Sequence, residues 1–268
     1  MPYIQIKGAQ LFYIQEGAGG EVILFSHGLF WSHMMFEKQI REFKEGYTVI
    51  AYDHRGQGKS GCADGDFSLD ALTEDAVEII DKLAGKAVHF VGLGMGGFIG
   101  LRLAARYPDK IKTLVLMETS ASPEPVENLP KYRFLNGLIK WFGFIPLVTA
   151  KLMEVLFAES WIKSTENRQA YKYWRQQLGG NSKSMHHSFK AVMERKGIEE
   201  EVRGIRCPVM IIVGDEDVAT KSEKAKYLQM AIPDSKLHVL PGSGHSISIE
   251  KPGEVNVLIR QFLDDSPA

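Results

Sequence analysis

Cysteine is scarce in this sequence, which holds only Cys62 and Cys207 among 268 residues. Two cysteines cannot build a disulfide framework, nor the paired Cys-x-x-Cys ligands of a structural zinc site. The first residues also lack the basic stretch followed by an apolar stretch that directs secretion. We therefore expect a protein of the cytoplasm, in a reducing environment, without a metal site.

An excess of charge of one sign is lacking too, since 32 Lys and Arg residues face 33 Asp and Glu residues for a net charge of −1. Nucleic acids and anionic membrane surfaces are bound through many uncompensated Lys and Arg side chains. Long apolar runs are also absent, because no window approaches the roughly 18 uncharged apolar residues that a membrane-spanning helix needs. We expect neither a nucleic acid nor a membrane as a partner.

The sequence does contain short apolar runs, and amphipathic stretches of helical length lie between several of them. Two alternating segments, 3–7 and 10–15, predict a leading hairpin. Six apolar runs predict buried strands at 21–26, 48–52, 87–91, 113–117, 209–213 and 236–240. The helical stretches lie at 69–83, 96–107, 223–231 and 252–263. Strands that alternate with helices predict a mostly parallel sheet with helices on both faces.

The alternation stops after Met117 and resumes at Cys207. The residues between them show several helical patterns and no run typical of a strand. We predict a helical cap over residues 121–204, inserted into a core made of residues 1–120 and 205–268. The cap is rich in apolar side chains, which either pack against other helices and the sheet or line a pocket beneath it.

Residues able to take part in catalysis follow several of the predicted strands. His27 and Gly28 follow the third strand, Asp217 follows the seventh and His245 follows the eighth. The fifth strand runs into the segment 92–97 (G-L-G-M-G-G), whose small residues permit a tight strand-to-helix turn that presents its middle residue. Because the carboxyl ends of parallel strands meet at one edge of a sheet, we expect these residues to lie close together.

The motifs and their order resemble those of the α/β-hydrolase family, and the resemblance extends over essentially the whole chain. The matching pieces are His27-Gly28, D-x-R-G-x-G-x-S at 53–60, the turn at 92–97, Gly214-x-x-Asp217, and Gly244-His245 followed by E-x-P at 250–252. The resemblance implies an α/β-hydrolase fold: a mostly parallel sheet of eight strands, with helices on both faces and an inserted helical cap.

The same resemblance implies a role for individual residues. His245 corresponds to the general base and Asp217 to the acid that orients it. The backbone N–H groups of Leu29 and Met95 correspond to the oxyanion hole. Asp217 is preferred over its two acidic neighbours because the family places its acid three residues after the glycine. No metal or organic cofactor is implied.

Position 94 departs from the family pattern. The middle of the family's turn carries Ser, or less often Asp or Cys, whereas Gly94 has no side chain. Without an oxygen or sulfur nucleophile no acyl-enzyme can form. Three explanations are open: an inactivated variant, a natural member that binds a ligand without catalysis, or slow hydrolysis by a water that His245 activates. We prefer the first, because Gly94→Ser would complete a typical turn and every other piece is present.

The glycines of segment 92–97 also match the dinucleotide-binding fingerprint G-x-G-x-x-G, with Glu118 as its acidic partner after the next strand. That interpretation leaves the motifs after the third, seventh and eighth strands unexplained. The fingerprint also belongs to a first βαβ unit, whereas here four predicted strands precede the strand that leads into it. We therefore regard the glycine spacing as a coincidence.

These inferences predict a hydrolase of carboxylic esters or lactones that acts by a Ser-His-Asp mechanism and is disabled at Gly94. Met95, in place of the Trp usual in members with an Asp nucleophile, argues against epoxide hydrolysis and dehalogenation. The apolar cap favours a small molecule with an apolar acyl chain or ring. Candidate substrate contacts are Phe30, Trp31, Phe134, Trp141 and Trp161. The alternatives are a carbon–carbon bond hydrolase and a non-catalytic ligand-binding protein or receptor, and we expect a monomer or homodimer.

Overall fold

The structure, a computed structural model, describes residues 2–62 and 65–266. These residues form one eight-stranded sheet with the order β1-β2-β4-β3-β5-β6-β7-β8. The strands are β1 (Tyr3–Ile6), β2 (Ala9–Glu16), β3 (Val22–Ser26), β4 (Thr48–Tyr52), β5 (Val88–Leu93), β6 (Ile111–Met117), β7 (Val209–Gly214) and β8 (Lys236–Leu240). β1 and β2 pair antiparallel with their neighbours, and all other pairs are parallel. The predicted fold class is confirmed.

The α-helices are α1 (Glu37–Phe43), α2 (Leu69–Ile79), α3 (Met95–Arg106), α4 (Leu129–Phe142), α5 (Pro146–Leu156), α6 (Glu159–Lys163), α7 (Arg168–Gly179), α8 (Met185–Met193), α9 (Ser222–Ala231), α10 (Ile247–Glu250) and α11 (Pro252–Asp264). A π-helical turn, Ile80–Ala84, extends α2, and 3₁₀ turns lie at His33–Phe36, Pro108–Lys110, Val126–Asn128 and Glu201–Gly204. The four helices predicted within the core are present as α2, α3, α9 and α11. No helix in the described residues is long and apolar enough to cross a bilayer.

β5 lies in the middle of the sheet and is buried on both faces. Its side chains alternate: Phe90 belongs to the core under α2 and α3, and Val91 belongs to the core under α1 and α11. The approach of α3 is close, since a Cβ on Gly100 would lie 2.8 Å from the Phe90 ring. Helices on both faces explain why the central strands are continuous apolar runs.

The chain between β6 and β7 contains helices α4 to α8 and, in the described residues, no strand. Hydrogen bonds tie these helices to loops that leave the carboxyl ends of β3 and β4. Asn181 Nδ2 donates to the Phe30 carbonyl at 2.7 Å, and Ser184 Oγ donates to the Gly56 carbonyl at 3.1 Å. The helices therefore cover this edge of the sheet, while their division from the core as a separate domain stays a prediction.

Candidate active site

His245 and Asp217 come together beyond the carboxyl ends of β8 and β7. The ring Nδ1 of His245 lies 2.8 Å from Asp217 Oδ2. Asp217 Oδ1 accepts the backbone N–H groups of Ala219 at 2.7 Å and Thr220 at 3.0 Å. Since a carboxylate only accepts hydrogen bonds, Nδ1 carries a proton and Nε2 is the basic nitrogen of the neutral ring. Nε2 faces Gly94, because a Cβ built on Gly94 would lie 2.9 Å from it.

The charges of His245 and Asp217 stabilise each other. Burial alone would lower the pKa of His245, but the Asp217 carboxylate and its hydrogen bond raise that pKa above its ordinary value. Burial alone would raise the pKa of Asp217, but the charge and hydrogen bond of His245 lower it. His245 can act as a base only after it has lost a proton. Because its pKa is raised, this happens at a higher pH than for an ordinary histidine.

The turn between β5 and α3 is tight, and packing explains its glycines. Gly94 has φ 52° and ψ −110°, a backbone conformation that L side chains rarely adopt. A Cβ on Gly96 would lie 1.9 Å from the Ser26 carbonyl oxygen, and one on Gly97 would lie 2.6 Å from the Thr119 side chain. A Cβ on Gly92 would lie 2.4 Å from the Gly96 carbonyl oxygen. Close packing at Gly92 and Gly97 and the positive φ of Gly94 therefore account for the spacing that matches the dinucleotide fingerprint.

Glu118, the first residue after β6, is buried beside Asp217. Its Oε1 accepts the backbone N–H of Gly214 at 2.6 Å. Burial, followed by the negative charge of Asp217, raises the pKa of Glu118 well above its ordinary value. A side chain enclosed in this way cannot reach a ribose, so the dinucleotide interpretation loses its acidic ligand. The sequence does contain a sign of this position, because Glu118 is an acidic residue directly after β6, and β6 pairs with β7.

Among the described residues, Glu118, Asp217 and His245 are a group whose spacing could hold a metal ion, since the ligand atoms they offer lie within 4.8 Å of one another. The imidazole and the Asp217 carboxylate already use these atoms to bond each other at 2.8 Å. A metal ion would have to displace the proton on Nδ1. Hydrogen bonds therefore account for the arrangement.

Leu29 and Met95 present backbone donors next to His245. Met95 is the first residue of α3, where backbone N–H groups have no partner within the helix. In the described part of the chain no acceptor takes up the N–H of Leu29 or of Met95, and both residues line the same cavity as His245. Two such N–H groups can stabilise an oxyanion that develops at this position.

The loop that carries Leu29 is held by two residues that the sequence analysis did not find. Phe30 has φ 70°, which is strained for a side-chain-bearing residue. Its N–H donates to Gln57 Oε1 at 3.0 Å, and its carbonyl accepts from Asn181 Nδ2 at 2.7 Å. Gln57 lies inside the 53–60 motif, which is a signal in the sequence. Asn181 carries no such signal.

A cavity of about 120 Å³ opens beside Gly94 and His245, beneath α4, α5 and α8. Its lining is mostly apolar and includes Leu29, Phe30, Met95, Phe98, Tyr132, Leu135, Leu152, Val155, Leu156, Phe189 and Val192. Charged side chains from Glu124, Lys131, Lys151 and Arg195 also line it, as do Ala219 and Thr220. A larger surface cleft of about 800 Å³, between α5, α6 and α7, contains none of the residues predicted for catalysis.

The structure corrects most of the proposed aromatic contacts. Phe30 lines the cavity, but Phe134 and Trp141 do not, since each is 71% exposed on the outer side of α4. Neighbouring positions on a helix point about 100° apart, so the adjacent Leu135 faces the cavity while Phe134 faces outwards. An apolar side chain in this helix is therefore not by itself a sign of substrate contact.

Trp31 and Trp161 are buried but serve packing. Trp31 contacts Phe157 and Trp174 edge to face, with ring centroids 5.9 and 5.4 Å apart, and Trp161 stacks on Phe157 at 4.5 Å. Neither Trp lines the cavity next to His245. These rings join the helices of the cap to the loop that follows β3 and carries Leu29, Phe30 and Trp31, here called the β3 loop. Their contacts are those of packing.

The sequence and the fold are both similar to those of known hydrolases. The sequence profile of the family described as alpha/beta hydrolase fold matches residues 21–252. The chain belongs to the α/β-hydrolase fold family. Relatives of this α/β-hydrolase include the human serine hydrolase BPHL, 26% identical over 97% of this chain and 85% of BPHL. The 3-oxoadipate enol-lactonase 2 of Acinetobacter baylyi is 25% identical over 90% of this chain and 88% of its own length.

Solved structures show the same α/β-hydrolase fold. The enol-lactonase of Burkholderia xenovorans LB400 superposes with a TM-score of 0.91 at 24% identity, over 98% of this chain and all of that one. A thermophilic esterase from Thermogutta terrifontis also has a TM-score of 0.91, at 23% identity over 98% of both chains.

A further relative by sequence cleaves a different bond. Epoxide hydrolase 2 of Caenorhabditis elegans is 26% identical over 98% of this chain and 79% of its own length. Family membership alone thus does not select the bond that is cleaved.

Proposed function

We propose that this α/β-hydrolase is built to hydrolyse carboxylic esters or lactones and that Gly94 stands at its nucleophile position. The observation that carries the proposal is the position of His245 Nε2, 2.9 Å from a Cβ built on Gly94 while Nδ1 is held by Asp217. A hydroxyl group on a side chain at position 94 would meet the basic nitrogen of an oriented imidazole.

In the Gly94→Ser variant the hydroxyl oxygen attacks the carbonyl carbon of the ester. His245 Nε2 accepts the hydroxyl proton, and Asp217 holds the ring in the required tautomer. The N–H groups of Leu29 and Met95 stabilise the oxyanion. The imidazolium then returns its proton to the leaving alcohol, and water cleaves the acyl-enzyme by the same route. The unaltered chain lacks the attacking oxygen and binds the ester intact.

The cavity supports a small substrate with an apolar part. Its volume of about 120 Å³ suits a short acyl chain or a lactone ring rather than a polymer, and its apolar lining favours hydrocarbon groups. The mechanism uses side chains and backbone N–H groups alone, so it needs no metal or organic cofactor. The enol-lactonase among the relatives supports lactones.

A ligand-binding protein is the second candidate, and Gly94 itself favours it, because an intact cavity without a nucleophile binds but does not turn over. A carbon–carbon bond hydrolase stays a prediction from the sequence, and no contact among the described residues of the site favours it.

The test is hydrolysis of p-nitrophenyl butyrate and a short lactone by four proteins: the unaltered chain, Gly94→Ser, Gly94→Ala and Gly94→Ser/His245→Ala. Gly94→Ala is the matched control, because it adds the same Cβ without the hydroxyl. We expect Gly94→Ser to exceed the other three by about 10³-fold or more. If a folded Gly94→Ser variant is inert while the chain binds these compounds, the binding protein replaces the hydrolase.

A further inference from the structure

The carboxyl groups of Glu118 and Asp217 meet in the protein interior, behind the imidazole of His245. The ligand atoms of the three residues lie within 4.8 Å of one another. Glu118 is 1% exposed and Asp217 is 6% exposed. Two carboxylates this close and this buried cannot both be ionised, because their repulsion adds to the cost of burying each charge. One of the two carboxyl groups must hold a proton.

Hydrogen bonds decide which group holds it. Asp217 accepts bonds from the His245 ring at 2.8 Å and from two backbone N–H groups at 2.7 and 3.0 Å. Glu118 accepts the N–H of Gly214 on Oε1, whereas its Oε2 is buried and has no donor among the described residues. Three donors stabilise negative charge on Asp217, and none stabilises it on Glu118 Oε2. The proton therefore belongs on Glu118.

We propose that Glu118 is a positioning residue: its neutral carboxyl group donates the Oε2 proton to the Asp217 carboxylate and so holds that carboxylate against His245. The proton stays on Glu118, so no bond is broken. The donated bond gives a partner to an oxygen that otherwise has none. Glu118 also has φ 48°, and such strain persists in a side-chain-bearing residue only where its surroundings hold it.

Other charged groups that face the pair favour the same arrangement. Glu250, from α10, adds negative charge that raises the pKa of Glu118 further. His245, from the loop after β8, draws the negative charge onto Asp217 and lowers its pKa. The Tyr132 hydroxyl, from α4, is held neutral by burial, which raises its pKa. Protonated His245 is the cation among these groups, and it bonds Asp217 rather than Glu118.

The first test needs no hydrolytic activity and uses the chain as it stands. The pKa of His245 is measured by NMR titration in the unaltered protein and in Glu118→Gln. If Glu118 is neutral, Gln replaces it with another neutral group that also donates a hydrogen bond. The pKa of His245 should then differ by less than about 0.3 between the two proteins. An ionised Glu118 would be different, because Gln would remove a nearby negative charge and lower the pKa by about one unit or more. That fall would overturn the proposal.

Infrared spectroscopy detects the proton itself. At neutral pH the unaltered protein should show the C=O stretching band of a buried carboxylic acid, and Glu118→Gln should lose it. Glu250→Gln is the matched control, because burial raises the pKa of Glu250 to about 7, so that part of the band comes from this group. Persistence in Glu118→Gln of the part that Glu250→Gln retains would place the proton on another residue and overturn the proposal.

A kinetic test rests on the proposed function, because it needs the active Gly94→Ser background. There Glu118→Leu removes the donor, and we expect kcat to fall about tenfold with little change in KM. The acid limb of the pH profile moves to higher pH, because an Asp217 carboxylate with one donor fewer binds the imidazolium more strongly. The conservative variant Glu118→Gln rescues both effects. A general loss of stability would not move the limb.

The outcomes separate the two proposals. If Gly94→Ser is inactive, the proposed function fails, while the NMR and infrared results still decide the state of Glu118. If Glu118→Leu and Glu118→Gln lower kcat equally and leave the pH limb in place, the donor role is overturned. A metal ion rather than a proton joins Glu118 and Asp217 if a chelator lowers the activity of Gly94→Ser. The same conclusion holds if added Zn²⁺ raises the melting temperature of the unaltered protein but not that of Glu118→Gln.

Discussion

The imidazole of His245 lies close to where a side chain at position 94 would begin. Nε2 would be 2.9 Å from a Cβ on Gly94 and Cε1 would be 3.5 Å from it, so any side chain there requires the ring to move by a few tenths of an ångström. The group that must move is a side chain and not backbone, but its bond to Asp217 limits the movement. The backbone is less accommodating, because φ 52° strains an L residue whatever the space.

Restoring a side chain at position 94 should therefore cost stability. We expect Gly94→Ser and Gly94→Ala to lower the free energy of unfolding by a similar amount, about 1–2 kcal/mol, since the Cβ and the strained φ are common to both. Urea unfolding measures the change. Gly137→Ala, in α4 where a Cβ would meet nothing within 4 Å, is the control and should stabilise the protein slightly. A Gly94→Ala protein as stable as the unaltered chain would contradict the strain argument.

At the scale of elements, the β3 loop is the part of the site that depends most on its neighbours. The strained Phe30 is fixed on one side by Gln57, from the loop after β4, and on the other by Asn181, from the turn between α7 and α8. These two hydrogen bonds fix the peptide groups on both sides of Phe30, next to the residue whose N–H we propose as an oxyanion donor, Leu29. A donor aimed at an oxyanion loses its effect when its direction changes slightly.

In the Gly94→Ser background, Asn181→Ala should lower kcat about tenfold with a small effect on KM, because an oxyanion donor, the role we propose for the Leu29 N–H, acts mainly in the transition state. Steady-state kinetics on p-nitrophenyl butyrate measures both constants. Asn167→Ala is the matched control, since Asn167 Nδ2 bonds the Trp161 carbonyl at 3.1 Å within the cap and does not touch the loop. An equal loss in both variants would show a general effect of the cap and not one of the oxyanion donor.

At the scale of the whole molecule, Glu250 joins the sheet edge to the cap. Its carboxyl group accepts the backbone N–H groups of Gly244 and Ser246, on either side of His245, and that of Ala158 from the helical segment. Burial outweighs these three donors and raises the pKa of Glu250 to about 7. The contact that holds the His245 loop under the cap is thus also a titrating group near neutral pH.

The pKa of Glu250 predicts a pH dependence of stability. In the unfolded chain the group titrates near pH 4.5 and in the folded chain near 7, so the folded state binds the proton more tightly. Its stabilising effect is complete below pH 4.5 and is lost as the pH rises to about 7. The stability of the unaltered protein should therefore fall relative to Glu250→Gln over this interval. Chemical denaturation at several pH values measures the difference, and parallel curves from pH 4 to 8 would contradict it.

The fold was predictable from the sequence because its signals are local. Buried parallel strands such as β5 and β7 are continuous apolar runs, and helices such as α2 and α11 are long and bury one face. The short α1 and α10 were not predicted, because seven and four residues are too few to show a helical period. Within the cap, the sequence indicated helices but could not show which side of each helix faces inwards.

The sequence by itself determined the order of the strands along the chain, the tight turn around Gly94, and the residues His245 and Asp217 at strand ends, since strand period and glycine spacing are properties of neighbouring residues. Only the tertiary structure decided that Glu118 lies behind Asp217 and that Asn181 holds the Phe30 loop, a contact across 151 residues. Side chains far apart in sequence meet only once sheet order and helix packing are set. The same reason explains why Phe134 faces solvent although its neighbour lines the cavity.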